Sequence, residues 1–131
     1  MRTISLLPLA LGGLVVIQAL AQETKPLTPV EAIKKVNEQV TVQMLVRAAK
    51  NRLEKRGEIY LDSEEDFRDE KNLGVVVTRG GAAKFKEAGV GDPAAHFKGK
   101  TVQVKGKVRL YRDRPEIAVS GPGEIEIVDK K

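Results

Sequence analysis

The sequence has no cysteine and no tryptophan, a single histidine, two tyrosines and three phenylalanines among its 131 residues. Without a thiol there can be no cysteine nucleophile, no disulfide framework and no Cys-ligated zinc or iron–sulfur site. With His96 alone, a multi-histidine metal centre is excluded, and a His-based triad could only pass through that residue. Aromatics make up 4% of a chain that is 41% hydrophobic, so the core must be built from Val, Ile, Leu and Ala. Positive charge exceeds negative by 23 Lys+Arg to 18 Asp+Glu, a mildly basic balance of +5. A chain this short holds one domain rather than two.

The N-terminal residues read as a secretory leader. Arg2 supplies a short positive region, and Ile4 to Leu20 is apolar apart from Ser5, Pro8, Gly12, Gly13 and Gln18. Ala19-Leu20-Ala21 places small residues where a signal peptidase needs them, predicting cleavage after Ala21. A membrane-spanning helix needs about 20 apolar residues, and this run is shorter and broken by glycine. A lipoprotein anchor is excluded because it needs cysteine. Removing 21 of 131 residues leaves 110, enough to bury one core. No second apolar run is long enough to span a bilayer. The expected location is secreted or periplasmic, and a cysteine-free exported domain suits a bacterial envelope.

Residues 22–38 are expected to form a flexible lead-in and a short helix. Thr28-Pro29 with Glu31 is a helix start; Val30, Ile33 and Val36 share a face, and about two turns run to Asn37. The period then changes to two. Val40, Val42, Met44 and Val46 alternate with polar residues through Arg47, a strand with one buried face. Residues 48–57 read as a polar basic connection. Glu58 to Asp62 is a second strand with Ile59 and Leu61 inward, and an acidic connection from Ser63 to Asn72 leads to a third, Leu73 to Thr78. Gly80-Gly81 reads as a break before a helix over Ala82–Ala88, and Asp92 to Phe97 as a capped helical turn. Lys100 to Arg112 is the fourth strand, with Val102, Val104, Val108 and Leu110 on the inward side and Gly106 where the strand must coil or bulge. A turn at Arg112–Pro115 returns the chain through Glu116–Ser120, and Ile125 and Ile127 alternate after Gly121-Pro122-Gly123.

Three strands, a helical stretch and a hairpin in about 90 residues is the order of an OB-fold, a five-stranded Greek-key barrel. The expected class is therefore all-β with a short helical insertion over residues 39–129; an SH3-like barrel or an open α+β sheet are the alternatives. The segments Gly99-Lys-Thr-Val-Gln-Val-Lys-Gly-Lys-Val, Tyr111-Arg-Asp-Arg-Pro-Glu-Ile and Glu124-Ile-Glu-Ile resemble the second half of nucleic-acid-binding OB domains of the tRNA-anticodon and helicase type. Leu61-Asp-Ser-Glu-Glu-Asp-Phe and Asp92-Pro-Ala-Ala-His-Phe-Lys-Gly are similar to segments of small secreted bacterial OB-domain proteins. The resemblance covers residues 39–128 and implies a fold more than a function.

An OB barrel binds its ligand across strands two and three, between the loops joining strands one–two and four–five. In the first loop stand Lys50, Arg52, Lys55 and Arg56, and in the second Arg112 and Arg114. Lys105, Lys107 and Arg109 form a cationic row on strand four ending at Tyr111. Such cations would supply the electrostatic contribution that dominates phosphate binding; they would equally suit an ordinary solvated strand face. Tyr60, outward on strand two between Glu58 and Asp62, is the ring placed to stack a base. The strand-three positions Gly74, Val76 and Thr78 add no other ring.

The acidic run from Asp62 to Glu70 lacks the glycine at the sixth position of an EF-hand loop, where Phe67 stands, and reads as a solvated loop. His96 reads as a packing or surface histidine. There is no nucleophile–base pair, and Thr78-Arg79-Gly80-Gly81 is too short for a phosphate loop. These features point away from an enzyme and imply no cofactor or metal. The expected function is a secreted binding module for single-stranded oligonucleotide or another polyanion. The alternative is an envelope structural or stress-related protein working through protein or small-ligand contacts.

Overall fold

A computed structural model describes residues 25–128; the expected leader and its cleavage point lie outside the described residues. The chain forms α1 (Pro29–Ala32), β1 (Gln39–Leu45), β2 (Ala48–Arg52), α2 (Leu53–Arg56), β3 (Glu58–Asp62), β4 (Gly74–Val77), α3 (Arg79–Glu87), α4 (Pro93–Phe97), β5 (Thr101–Tyr111), β6 (Arg114–Val119), a 3-10 turn (Pro122–Glu124) and β7 (Ile125–Ile127). It is mostly β with a few short helices, as an OB-fold requires.

The strand count and closure differ from expectation. Seven strands form one sheet in the order β1-β5-β6-β4-β3-β2, with β7 also on β5, and the hydrogen-bonded order does not close into a five-stranded barrel. Its two ends, β1 and β2, are successive in the chain. At the bend between them the Val46 N–H donates to the Lys100 carbonyl and the Arg47 N–H to the Asp62 carbonyl. Residues 48–52, read from the sequence as a connection, are thus strand β2, antiparallel to β3, and a helical turn follows them. Between the seven strands all pairings are antiparallel except β4 with β6. A parallel strand pair needs a crossover, and α3, α4 and β5 supply it. Leu27 adds a single parallel bridge to Val42 of β1.

Alternation puts Val42, Met44, Ile59, Leu61, Val75, Val77, Val102, Val104, Val108, Ile117 and Val119 inside, each nearly or fully removed from water. Phe85 of α3 and Phe97 of α4 pack edge to face at 5.7 Å and join this core. At Gly106 a Cβ would lie 2.5 Å from Ile117 Cγ2, so the glycine admits the neighbouring strand closely.

Local readings shift in several places. Helix α1 is one turn rather than two, closed by a reciprocal capping box between Thr28 and Glu31; Ala32 is its buried residue, while Val30 is exposed. Gly80 and Gly81 lie inside α3, which starts from the Thr78 cap. Leu110, read as inward, is exposed, while Val76 keeps its place on the outward face beside Tyr60 and is buried there. Gly81 enters the helix because its bare Cα sits against β6: a Cβ there would be 2.8 Å from the Val119 carbonyl oxygen.

Candidate functional site

Cross-strand register builds one outer face. Lys50, Tyr60, Val76 and Ala118 align across β2, β3, β4 and β6, and so do Ala48, Asp62, Gly74 and Glu116 in the next row. Arg52 stands opposite Glu58. The β5–β6 hairpin closes one end of the face. Its two-residue turn, Arg112-Asp113, takes φ values of 54° and 65°, the left-handed conformation a tight hairpin demands at both positions.

The face encloses a groove of about 290 Å3 lined by Lys50, Arg52 and Arg56 on one side and Tyr111, Arg112 and Arg114 on the other. Tyr60, Phe67, Asp62, Glu65 and Glu116 also line it. Seven residues singled out from sequence therefore meet in one place: Lys50, Arg52, Arg56, Tyr60, Tyr111, Arg112 and Arg114. Lys50 and Arg52 reach it from strand β2, not from the loop expected there. Four others do not line it. Lys55 borders a shallow depression beside β2, and Lys105 a separate hollow with Lys25 and Lys35. Lys107 pairs with Gln39 on the β1 side of β5. Arg109 is held by Glu116, with Nε and Nη2 at 3.0 and 2.6 Å from Oε2.

The sequence reading missed Phe67 as a groove residue. The acidic connection folds back on itself through Asn72, which is buried: its amide oxygen accepts from Glu64 N–H at 2.9 Å and Ser63 Oγ at 3.3 Å. Its amide nitrogen donates to Asp62 Oδ1 at 3.0 Å and the Phe67 carbonyl at 3.4 Å. Held this way, the loop presents the Phe67 ring half exposed, with the Arg114 guanidinium 5.0 Å from its centroid. Tyr111, 54% exposed, carries Arg112 over its ring at 5.3 Å. Tyr60 is half-buried and its hydroxyl donates to Glu58 Oε1 at 2.9 Å. Burial, with Glu58 beside it, raises the Tyr60 pKa.

The carboxylates of the floor are also perturbed. Burial raises the pKa of Asp62 against the opposing pull of the Asn72 hydrogen bond and the Lys50 charge. Burial raises that of Glu116 too, opposed by Arg109 and reinforced by the charges of Glu58 and Asp62. Among the described residues no group of His, Asp and Glu is arranged to hold a metal ion, and no helix is long and apolar enough to cross a membrane. His96 is exposed, edge to face with Phe97 at 4.7 Å.

No protein-family model matches the sequence, and no curated protein matches it. Solved structures do match. A putative aspartyl-tRNA synthetase from Leishmania major Friedlin superposes with a TM-score of 0.53 at 14% identity, covering 86% of this chain and 22% of that one. Asparaginyl-tRNA synthetase from Pyrococcus horikoshii, complexed with asparaginyl-adenylate, gives 0.55 at 16% identity over 81% and 23%. An OBody bound to hen egg-white lysozyme gives 0.54 at 16% identity over 83% and 99%. The chain has the OB-fold. It spans less than a quarter of each synthetase and nearly all of the OBody.

Proposed function

We propose that this chain is a single-domain OB-fold module that binds single-stranded nucleic acid in the groove over β2, β3 and β4. The observation that carries the reading is the meeting of Tyr60, Phe67 and Tyr111 with cations from two distant segments in one groove. Rings in such a groove offer sequence-tolerant stacking, and the cations neutralise the backbone. The two synthetases, which by name act on tRNA, support a nucleic-acid role for this fold. The role is binding rather than catalysis. Export, read from the leader pattern ending at Ala21, belongs to the same proposal and is tested by N-terminal sequencing of the mature protein.

A second reading, docking of an envelope protein, draws on the exposed pair Leu110 and Tyr111 at the hairpin end, and on the OBody, which in its own structure is bound to lysozyme. One titration separates the two. A labelled single strand of about ten nucleotides, within the site size of an OB-fold, is titrated by fluorescence anisotropy at rising salt. Affinity is expected to fall with a log–log slope of about −0.7 for each phosphate neutralised. Arg52→Ala and Arg114→Ala should each reduce both affinity and slope, while Lys107→Ala, outside the groove, should change neither. Absence of binding at low salt, or binding indifferent to both arginines, defeats the nucleic-acid reading.

A further inference from the structure

The charges in the groove are sorted. Cations stand along its two sides; of the carboxylates that line it, Asp62 and Glu116 stand on its strand floor and Glu65 on the acidic loop. Asp62 and Glu116 share one cross-strand row with Gly74 between them, so their Cα atoms are two strand spacings, roughly 10 Å, apart. Gly74 leaves the space between them clear: a Cβ there would be 3.5 Å from Asp62 Oδ1 and 3.7 Å from Glu116 Cβ. Each carboxylate has one oxygen engaged. Asp62 Oδ1 accepts from Asn72, and Glu116 Oε2 accepts both Arg109 donors. Among the described residues, none donates to Asp62 Oδ2 or Glu116 Oε1.

A phosphate is repelled from such a floor and attracted to the sides. A strand in this groove therefore lays its backbone along Lys50, Arg52, Arg112 and Arg114 and turns its bases inward. An ionised carboxylate can only accept hydrogen bonds, so it rewards an exocyclic amine at the base edge, whereas the one N–H of uracil or thymine, at N3, lies between two carbonyl oxygens that the carboxylate repels. Cytosine, adenine and guanine carry exocyclic amines; thymine and uracil present carbonyl oxygens in those places. We propose that Asp62 and Glu116, on either side of Gly74, make the groove selective for bases bearing an exocyclic amine. The inference rests on the nucleic-acid reading of the groove. The rings and cations make the site, and the carboxylates set its preference.

The test compares equal-length oligo(dC) and oligo(dU) at neutral pH and low salt, two pyrimidine strands whose bases differ at the exocyclic amine edge. The protein should bind oligo(dC) about fivefold or more tightly. Glu116→Gln and Asp62→Asn keep the side-chain shape but add an amide donor. Each should bring the two affinities to within about twofold, with oligo(dU) gaining. Should Asp62→Asn fail to fold through its bond to Asn72, Glu116→Gln decides alone, since its partner Arg109 is exposed. Equal affinity for both strands in the parent protein overturns the proposal, as does a preference that survives in the folded variants. If both strands bind equally and still require Arg52 and Arg114, the groove reading stands and this inference fails. If neither strand binds, or an oligolysine peptide is captured instead, both fail.

Discussion

Arg114 and Phe67, 47 positions apart in sequence, meet in direct contact at the groove: Arg114 Nη1 donates to the Phe67 carbonyl at 3.4 Å while its guanidinium stands 5.0 Å from the ring centroid. The contact joins the acidic loop to the β5–β6 hairpin and places an aromatic face beside the cation that would meet a phosphate. Phe67→Ala is expected to weaken single-strand binding by about 1–3 kcal/mol. Stability should move by no more than about 0.5 kcal/mol, because the ring is 48% exposed. Anisotropy titration beside a thermal melt checks both; a fall in melting temperature with unchanged affinity would make the ring a loop-packing group only.

The loop behind Phe67 depends on Asn72. Asn72→Ala strands the Glu64 N–H, the Ser63 hydroxyl and an Asp62 oxygen at once. Unsatisfied groups of this kind cost about 1–3 kcal/mol. Urea unfolding should show that loss, and hydrogen exchange should quicken across residues 63–72 more than in β5.

The two glycines of α3 should respond oppositely to alanine. At Gly81 the new methyl meets backbone atoms of Val119 and Ser120 at 2.8 to 3.2 Å, which cannot swing aside, and the cost should be about 1–3 kcal/mol. Gly80 has open space around its Cα, so alanine there should stabilise by up to about 1 kcal/mol through helix propensity. Denaturation midpoints moving in the same direction would contradict the close seat of α3 on β6.

The floor carboxylates predict a pH dependence of stability. Burial raises the pKa of Glu116 and Asp62, so the folded chain holds these protons more tightly than the unfolded one. Their contribution is therefore most favourable in acid, below the ordinary carboxylate range, and is lost as pH rises through their raised values. Glu116→Gln, which cannot ionise, should be more stable than the parent at neutral pH, with the gap closing as pH falls through the carboxylate range. Melting temperatures measured across that range decide it; a gap that does not change with pH would mean that burial of the charge goes unfelt.

Much of the fold was legible because one-sided burial leaves a period. Val42 to Val46, Ile59 and Leu61, and Val102 to Val108 alternate in sequence as they do in the sheet. Ala48–Arg52 left no such trace: Lys50, Asn51 and Arg52 are all exposed, so neither face of β2 is written in apolar residues. Gly80-Gly81 read as a break because propensity is local, whereas the close approach to Val119 is not. For the site, the basic segments were visible as composition, but Phe67 looked like an interruption in an acidic run. Its significance lies in the Asn72 bonds and in Arg114, contacts that only the folded chain brings together. Glu116 was similarly silent, since its place beside Gly74 is set by the parallel register of β4 with β6.

Strand β2 ends the hydrogen-bonded order of the sheet, with β3 on one side and a tether from Asn51 to the Asp92 cap of α4 at its far end. An edge of this kind is a template on which a second molecule can add a strand, and charged side chains are a common guard against it. Lys50 and Arg52 occupy that edge. Neutralising them to study binding would also remove electrostatic repulsion between molecules, so the solubility of this domain and its affinity for a polyanion are tied to the same two cations.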